Sequence, residues 1–391
     1  MKTKKLTLLC SIGMILILVL STILAACAQE AAPAAPAAPA KPSPTTPTTP
    51  TTPTTPTTPT TPAIPAKPAP APAAEVFKWK CQAAWVPTAF EYSIVDEYFK
   101  VLEEASGGRL VITQYPGGAL IPTAEHFDAI KEGIIEMANS TCEYWPGMMP
   151  EAVMEAGFPA TWRNIQDMEQ LFYRVGPRNL TDVMREAYAE QDIYAVAIAG
   201  NVGHTFWTKF PITSLADMQG IKMRAPGTTA KVLDKLGVAT VYIPHEEVYM
   251  GLQLGTIDAS ATSGIMYDLG KYYEFCEYYH VPYIGAPGHW TAIANMDAWN
   301  ELPADLAILA EKMVKLGYWD ARLANDVAMT RMEANAAEKW GTTIVTLPAE
   351  VIDAAGAASV ELMEEQMTVN ARCNEMGEII KEYMRSVGYL K

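Results

Sequence analysis

Strand-like and helix-like patterns alternate along most of this chain, and this alternation limits its fold class. Apolar residues recur with a period of two in short segments, and at i, i+3 and i+4 spacing in the segments between them. The first series comprises strands at 76–83, 109–115 and 135–139 and helices at 91–106 and 125–132. Such a succession is typical of a parallel α/β lobe.

A second series follows a long helical pattern at 164–190 and indicates a second lobe. Its predicted strands are 193–200, 206–210, 220–224, 238–243 and 257–261, and its helices are 228–236 and 246–254. Beyond residue 285 the patterns predict a strand at 290–295, one very long helix over 303–340, a strand at 343–347 and a mostly helical segment at 349–384.

The patterns predict an α/β clamshell, with two lobes and a cleft between them. Single hydrophobic cores divide beyond about 250–300 residues, and the folded part, 75–391, exceeds that length. We assign 75–198 with 285–312 to lobe I and 199–284 with 313–391 to lobe II.

The N-terminus has the pattern of a signal peptide. Lysines within residues 2–5 precede an apolar run at 6–24, and the sequence LAAC ending at Cys27 resembles the lipobox of bacterial lipoproteins. Cleavage would remove 1–26 and leave Cys27 to receive a diacylglycerol group. The alternative is a retained transmembrane helix, because the apolar run is close to the length of a membrane span.

Residues 27–74 form a tether of low complexity, in which Ala-Ala-Pro triplets precede Thr-Thr-Pro repeats. This proline density favours extended polyproline II structure, which buries no core. The sequence therefore predicts a folded domain outside the cytoplasm, in the periplasm or at the cell surface, lipid-anchored to a bacterial membrane through Cys27.

The net charge limits the possible binding partners, and the cysteines raise the question of disulfide bonds. A net charge of −15 argues against binding to nucleic acid and against docking on anionic lipid. The four cysteines of the folded part, Cys81, Cys142, Cys276 and Cys373, are scattered and show no metal-ligand spacing. Outside the cytoplasm they could form disulfides, so pairing and lone thiols are both left open.

Arg224 is the residue that most clearly indicates a binding site. It ends the strand pattern at 220–224, just before the helix pattern at 228–236. Open α/β sheets bind ligands at the carboxyl ends of their strands, and helix N-termini attract anions. A guanidinium can hold a carboxylate with two parallel hydrogen bonds. We therefore predict that Arg224 binds the acid group of a small solute; the alternative is a salt-bridged surface arginine.

Catalytic motifs are lacking, whereas aromatic residues are frequent in the predicted loops. The chain contains no GxSxG, HExxH, Walker or GxGxxG pattern, and its histidines stand apart, so we do not expect an enzyme. Each aromatic residue alone is more often core than ligand wall. Together, at one cleft, five of them would form an apolar wall around the polar anchor: Trp85, Tyr144, Trp145, Trp207 and Trp290.

Three segments in order resemble the DctP-type solute-binding proteins of TRAP (tripartite ATP-independent periplasmic) transporters. The segment PITSLADMQGIKMRAP at 211–226 is similar to the family sequence that leads to its carboxylate-binding arginine. The segment EVYMGLQLGTIDA at 247–259, and GALIP with FDAIKEG within 118–133, are similar to two further family patterns. The resemblance covers most of 75–391.

The resemblance implies a periplasmic-binding-protein-like clamshell with a long helix spanning both lobes. It implies capture of a small organic-acid anion and its delivery to the membrane permease subunits of a TRAP transporter, which uses an ion gradient. Arg224 matches the arginine that clamps the carboxylate. The alternatives are a sensor component that binds the same solute and an extracytoplasmic enzyme that acts on an organic acid. A homodimer is left open.

Within the family, Tyr144, Trp145 and the segment 262–264 with Asp268 resemble the branch that binds 2-oxo acids and lactate. Members of that branch often hold a metal ion through a Glu-Trp pair, and Ala261 takes the place of that Glu here. Because the Ala261 side chain has no ligand atom, we expect no cofactor; a bound metal ion remains the alternative.

Two further positions differ from the family branches. His204 matches the place of a second arginine in the branch for sialic acid-like solutes, and a neutral imidazole there could donate one hydrogen bond. Thr262 stands where other members have an asparagine or a tryptophan. We therefore expect His204 and Thr262 to contribute to the ligand site and to its selectivity.

Overall fold

The computed structural model describes residues 75–159, 165–243, 245–285 and 287–390. The predicted signal peptide, the tether and Cys27 lie outside the described residues. Within the described part of the chain, no helix is both long and apolar enough to cross a membrane.

Strands and helices follow one another largely in the predicted order. The strands are β1 (Phe77–Ala83), β2 (Leu110–Tyr115), β3 (Met137–Ser140), β4 (Ile193–Thr208), β5 (Lys222–Arg224), β6 (Ala239–Val241), β7 (Ala259–Ser263), β8 (Tyr278–Val281), β9 (Pro287–Asn295) and β10 (Thr343–Thr346). The α-helices are α1 (Phe90–Ala105), α2 (His126–Lys131), α3 (Glu151–Ala156), α4 (Ile165–Tyr173), α5 (Leu180–Ala189), α6 (Gly227–Lys235), α7 (His245–Leu254), α8 (Met266–Leu269), α9 (Met296–Glu301), α10 (Ala304–Trp340), α11 (Ala349–Met367) and α12 (Ala371–Ser386).

Two predicted helical segments are each divided by a polar capping residue. The segment 164–190 contains α4 and α5, because Asn179 begins a new helix through a capping box with Asp182. The segment 349–384 contains α11 and α12, because the Asn370 side chain accepts a hydrogen bond from the backbone N–H of Cys373. The short elements α3, α8, α9 and β8 escaped prediction, since so few residues carry little periodicity.

The strands form one continuous path of pairing that has two halves. The first half has the order β2-β1-β3-β9-β4, in which β1 is parallel to β2 and β3, while β9 is antiparallel to β3 and β4. The second half continues as β4-β7-β5-β6, in which β5 is parallel to its two neighbours. The predicted α/β lobes are confirmed, with antiparallel strands added where the two halves join.

Strand β4 connects the two halves. Two strands were predicted, at 193–200 and 206–210, and that prediction is wrong, because one strand of 16 residues, Ile193–Thr208, covers the first and most of the second. Its first part pairs with β9, and the part from His204 to Thr208 pairs with β7. A register shift in the β9 pairing between Gly200 and Gly203 accommodates the interruption of the apolar pattern.

Helix α10 crosses both halves, as the resemblance implies. It is 37 residues long. Gly317 allows it to approach α1 closely, because a Cβ at that position would lie 3.3 Å from the Cβ of Tyr98. The N-terminal part of the helix packs in a core of the first half with Leu306, Ala310, Val314, Tyr318 and Ala321. The C-terminal part packs in a core of the second half with Met329, Met332 and Ala336.

The last helix, α12, packs on the first half of the molecule. Met376 and Ile380 are buried in one cluster with Phe127 of α2. The sequence prediction assigned all of 313–391 to lobe II, and this packing differs from it. An apolar helix face shows that a helix is packed, but it does not show which lobe the helix covers. The lobe boundaries themselves stay a prediction.

The four cysteines of the described residues are buried free thiols: Cys81, Cys142, Cys276 and Cys373. Burial raises the pKa of Cys276 to about 12 and that of Cys373 to about 11. These two thiols are therefore protonated and unreactive at neutral pH. Of the two alternatives left open by the sequence, the structure has lone thiols.

Trp145 is a core residue, and its predicted place in the ligand wall is wrong. It is fully buried, and its Nε1 donates a hydrogen bond to Tyr188 Oη at 3.1 Å.

Tyr188 donates to Glu155 Oε2 at 2.8 Å, and the hydroxyl of Thr291 donates to Glu155 Oε1. Burial raises the pKa of Glu155 to about 7, although these two hydrogen bonds oppose the shift.

Two glycine substitutions should affect stability in opposite directions. In Gly285→Ala the new Cβ would lie 2.7 Å from the backbone oxygen of His204, so the strand must shift, and we expect a loss of about 1–3 kcal/mol. In Gly356→Ala, within α11, the Cβ meets no atom within 4 Å, and a gain of up to about 1 kcal/mol is expected. Denaturant unfolding measures both; equal effects would contradict this packing.

The pH dependence of stability should reveal Glu155. Its folded-state pKa of about 7 lies above the unfolded value, so its stabilising contribution is complete below about pH 4 and is lost as pH rises through about 7. Glu155→Gln stays neutral. Between about pH 5 and about pH 8, the free energy of unfolding of the wild type should fall relative to this variant by about 1–3 kcal/mol. Parallel stability curves would contradict the raised pKa.

Candidate ligand-binding cleft

A cleft of roughly 1700 Å³ lies between the two halves of the sheet and along α10. Its first-half wall comes from the loop after β1, the start of α1 and the turn Cys142–Tyr144. Its second-half wall comes from β4, β7 and the segments that follow β6 and β7. Most small-ligand pockets measure about 300–1,000 Å³, so a small solute fills only part of this cleft.

Most of the predicted site residues line this cleft: Trp85, Tyr144, His204, Thr262 and Trp290. Trp145 and Trp207 do not, because both are fully buried in the cores. Arg224 is only 2% exposed and lies behind the wall rather than on it. Five of the predicted residues therefore lie at one cleft, where their role in ligand binding stays a prediction, and two core tryptophans were mistaken for wall residues.

Aromatic rings cover both walls. Trp85 and Trp290 meet edge to face with their ring centroids 6.3 Å apart, and Trp290 rests on Tyr318 of α10 at 5.6 Å. Tyr242 follows β6, and Tyr272 lies beyond α8 on the opposite wall. The cleft thus offers apolar faces to a ligand from both halves, beside polar and charged side chains that can fix its orientation.

Arg224 ends β5, which lies between β6 and β7, and backbone carbonyls hold its side chain. Its Nε donates to the carbonyl of Ile243 at 3.1 Å, and its Nη1 donates to the carbonyl of Ala261 at 3.3 Å. The ring of Tyr242 covers the guanidinium, with Cζ 5.7 Å from the ring centroid. The helix α6 begins at Gly227, so its N-terminal N–H groups lie close to the same place.

The guanidinium of Arg224 is a buried cation that forms no salt bridge with any carboxylate of the described residues. Burial lowers the pKa of Arg224, while Tyr242 and Glu143 oppose that shift. It stays protonated nevertheless, because the reference pKa of arginine is above about 12. A buried charge without a salt-bridge partner is costly. The arrangement is therefore suited to an anion that comes from outside the protein.

His204 and Thr262 lie on paired strands beside Arg224. In the antiparallel pairing of β4 with β7, His204 is opposite Ser263, and Thr262 is opposite Thr205. The His204 Nδ1 lies 3.4 Å from the hydroxyl of Thr229 on α6. Thr262 directly follows the residue whose carbonyl binds Arg224. Both side chains face the cleft close to the predicted anion site.

Two acidic residues of the cleft, Glu91 and Glu143, were not predicted. Glu91 begins the first turn of α1 and accepts a hydrogen bond from Asn325 Nδ2 of α10 at 3.5 Å. Glu143 precedes Tyr144 in the turn and interacts electrostatically with Arg224. Burial raises the pKa of both carboxyl groups. The position of Glu143 next to Tyr144 in the sequence could have indicated that it lies in the cleft. Its proximity to Arg224 could not be predicted, because it depends on how the two halves meet.

The residues present do not fit the metal site to which the family resemblance pointed. Among the residues that the structure describes, no group of three or more His, Cys, Asp or Glu side chains is arranged to hold a metal ion. Ala261 offers only its backbone carbonyl, and that oxygen accepts a hydrogen bond from Arg224.

Comparison with known proteins gives consistent results. The profile of DctP, the bacterial extracellular solute-binding proteins of family 7, matches residues 83–369. The chain is 27% identical over 321 residues to a monocarboxylate 2-oxoacid-binding periplasmic protein of Nostoc sp., covering 79% of this chain and 85% of that protein.

Solved structures of similar fold come from the same class of protein. A TRAP periplasmic solute-binding protein from Pseudoalteromonas atlantica, with bound sodium and pyruvate, has a TM-score of 0.72 and 24% identity, covering 80% of this chain and 95% of that chain. One from Colwellia psychrerythraea, with bound calcium and pyruvate, has a TM-score of 0.71 and 25% identity, covering 80% and 96%. Because the family profile spans most of the chain, this protein belongs to the DctP family of bacterial extracellular solute-binding proteins.

Proposed function

We propose that this protein captures a small organic-acid anion in the cleft between its lobes and delivers it to the membrane subunits of a TRAP permease. The observation that carries the proposal is the buried Arg224, which is held by carbonyls and has no acidic salt-bridge partner among the described residues. The solutes named for its relatives, 2-oxo acids and pyruvate, support it, since both are carboxylates.

Arg224 has donors left for a carboxylate. A guanidinium has more N–H groups than its two bonds to carbonyls use. The first N–H groups of α6, which begins at Gly227, also lack helical partners and favour an anion. The acid group would therefore lie between Arg224 and the N-terminus of α6, with His204 and Thr262 beside it.

Ligand binding would favour a closed arrangement of the two lobes. The cleft is lined from both halves, so a bound solute contacts both. Among the described residues, strand β4 and helix α10 run through both halves, and helix α11 packs against both. A solute that contacts both lobes stabilises the closed form by the free energy of those contacts, as in hinge closure of other two-lobed receptors.

We further propose that no bond is made or broken in the cleft. The described cysteines are buried free thiols outside its walls. Burial lowers the pKa of His126 and of His280 to about 4, and both lie outside the cleft lining, whereas His204 and His289 belong to it. A binding role agrees with the family, and the LAAC sequence ending at Cys27 supports a lipid anchor that keeps the protein outside the cytoplasm.

Removing the guanidinium tests the acid clamp. In Arg224→Ala, affinity for carboxylates should fall by about 2–5 kcal/mol, while the melting temperature of the ligand-free protein changes little, because relief of a buried charge offsets the lost hydrogen bonds. Lys222→Ala is the matched control, since Lys222 is an exposed cation on the same strand. A thermal-shift screen with small acids followed by calorimetry gives the affinities. Unchanged binding by Arg224→Ala would end the clamp proposal.

Chelator treatment tests the metal expectation. Because the Ala261 side chain supplies no ligand and no suitable cluster occurs among the described residues, EDTA should leave the affinity for the acid unaltered. The measurement is calorimetric titration before and after dialysis against the potassium salt of EDTA in sodium-free buffer, which removes both ions, with calcium and sodium then restored separately. A large loss of affinity that either ion reverses would show that the cleft holds a metal.

A further inference from the structure

Glu143 places a carboxylate beside the predicted anion site from the opposite wall. It belongs to the turn Cys142–Tyr144, whose start is fixed by a hydrogen bond from the Glu143 N–H to Thr141 Oγ1. Its Oε1 lies 3.6 Å from the position that a Cβ on Gly227 would occupy. Gly227 is the first residue of α6 and lies three positions after Arg224. The carboxylate therefore reaches across the cleft to the place assigned to the solute.

The Glu143 carboxylate has no hydrogen-bond donor among the described residues. Its backbone N–H is satisfied, but no described side chain donates to its oxygens, and its one electrostatic partner is Arg224. Glu91, the other acid of the inner cleft, differs because Asn325 donates to it. Glu143 is half-buried, so its oxygens are only partly available to water. A ligand in this cleft thus meets an acceptor that receives no hydrogen bond from the described residues.

Burial raises the pKa of Glu143, while Arg224 opposes that shift and favours the ionised form. In the ionised form the carboxylate accepts hydrogen bonds and donates none. A solute whose acid group binds Arg224 places the substituent of its next carbon near that anchor, within reach of Glu143. A 2-oxo group presents another acceptor there, and the two oxygens repel each other. A hydroxyl or an ammonium group donates instead, and the bond is charge-assisted.

We propose that Glu143 makes the cleft select acids with a hydrogen-bond donor, a hydroxyl or ammonium group, on the carbon next to the carboxylate. The inference rests on the proposed function, because it requires the carboxylate to bind at Arg224. It names 2-hydroxy or 2-amino acids as the substrate class, in contrast to the 2-oxo acids named for the Nostoc relative.

The test compares acids that differ only in this substituent. One set is pyruvate, L-lactate and L-alanine; the second is phenylpyruvate, L-phenyllactate and L-phenylalanine, which covers a larger side group. Calorimetric titration of the wild type at neutral pH should give donor-bearing acids an advantage of about 10- to 100-fold, the range of one hydrogen bond to a charged group. Equal or tighter binding of the 2-oxo acids would overturn the inference.

Glu143→Gln should remove this selectivity. The amide is neutral and can donate, so the 2-oxo acid should bind more tightly and the advantage should fall several-fold or more. Glu97→Gln is the matched control, because it removes the same charge from an exposed position on α1 outside the cleft, and its selectivity should equal that of the wild type. Thermal unfolding of each variant confirms that it is folded. An unchanged ratio in Glu143→Gln overturns the inference.

The two proposals fail in different ways. If the acids bind, and Arg224→Ala abolishes their binding while Glu143→Gln leaves the ratio unchanged, only the assigned substrate class is wrong. If none of the acids binds to the wild type, or if Arg224→Ala binds them as the wild type does, the proposed function fails and the inference fails with it.

Discussion

The binding site depends above all on the burial of a guanidinium that forms no salt bridge with a carboxylate of the described residues. Arg224 is almost fully buried; two backbone carbonyls accept its hydrogen bonds, the face of Tyr242 covers it, and Glu143 interacts with it electrostatically. Burial of such a charge is unfavourable, and a well-placed anion offsets part of this cost. The parallel strands around β5 make this arrangement possible, because their carboxyl ends bring carbonyls and a helix N-terminus to one place.

The opposite wall of the cleft places an acidic side chain near Arg224. Strand β4 and helix α10 run through both halves, so they place the first-half turn with Glu143 against the second-half helix that begins at Gly227. A cation and an acid from different lobes then face one cleft. A solute must satisfy both groups, and its substituents matter as much as its carboxylate. Aromatic rings on both walls exclude water from part of the space without specifying a single ligand shape.

Much of the fold could be predicted because its signals are local. Hydrophobic periodicity identified most strands and the long helix, and the segment at 211–226 predicted Arg224 as the residue that binds the carboxylate. The failures share one cause. Trp145 and Trp207 are of a residue type that often lines ligand sites, but their neighbours decide their role. Trp145 donates a hydrogen bond to Tyr188, and Trp207 packs between tyrosines in the core of the second half. The single strand β4 was read as two because pairing partners, not local pattern, continue a strand past an irregularity.

The sequence by itself determined the α/β class, the long helix, the family and the position of an arginine at the end of a strand. These follow from periodicity, turn residues and motif spacing, which act over a few neighbouring residues. Only the tertiary structure decided that Arg224 is buried behind Tyr242, that α12 covers the first half, and that Glu143 faces Gly227. Those facts depend on contacts between segments far apart in the chain, and local pattern carries no information about which distant surfaces meet.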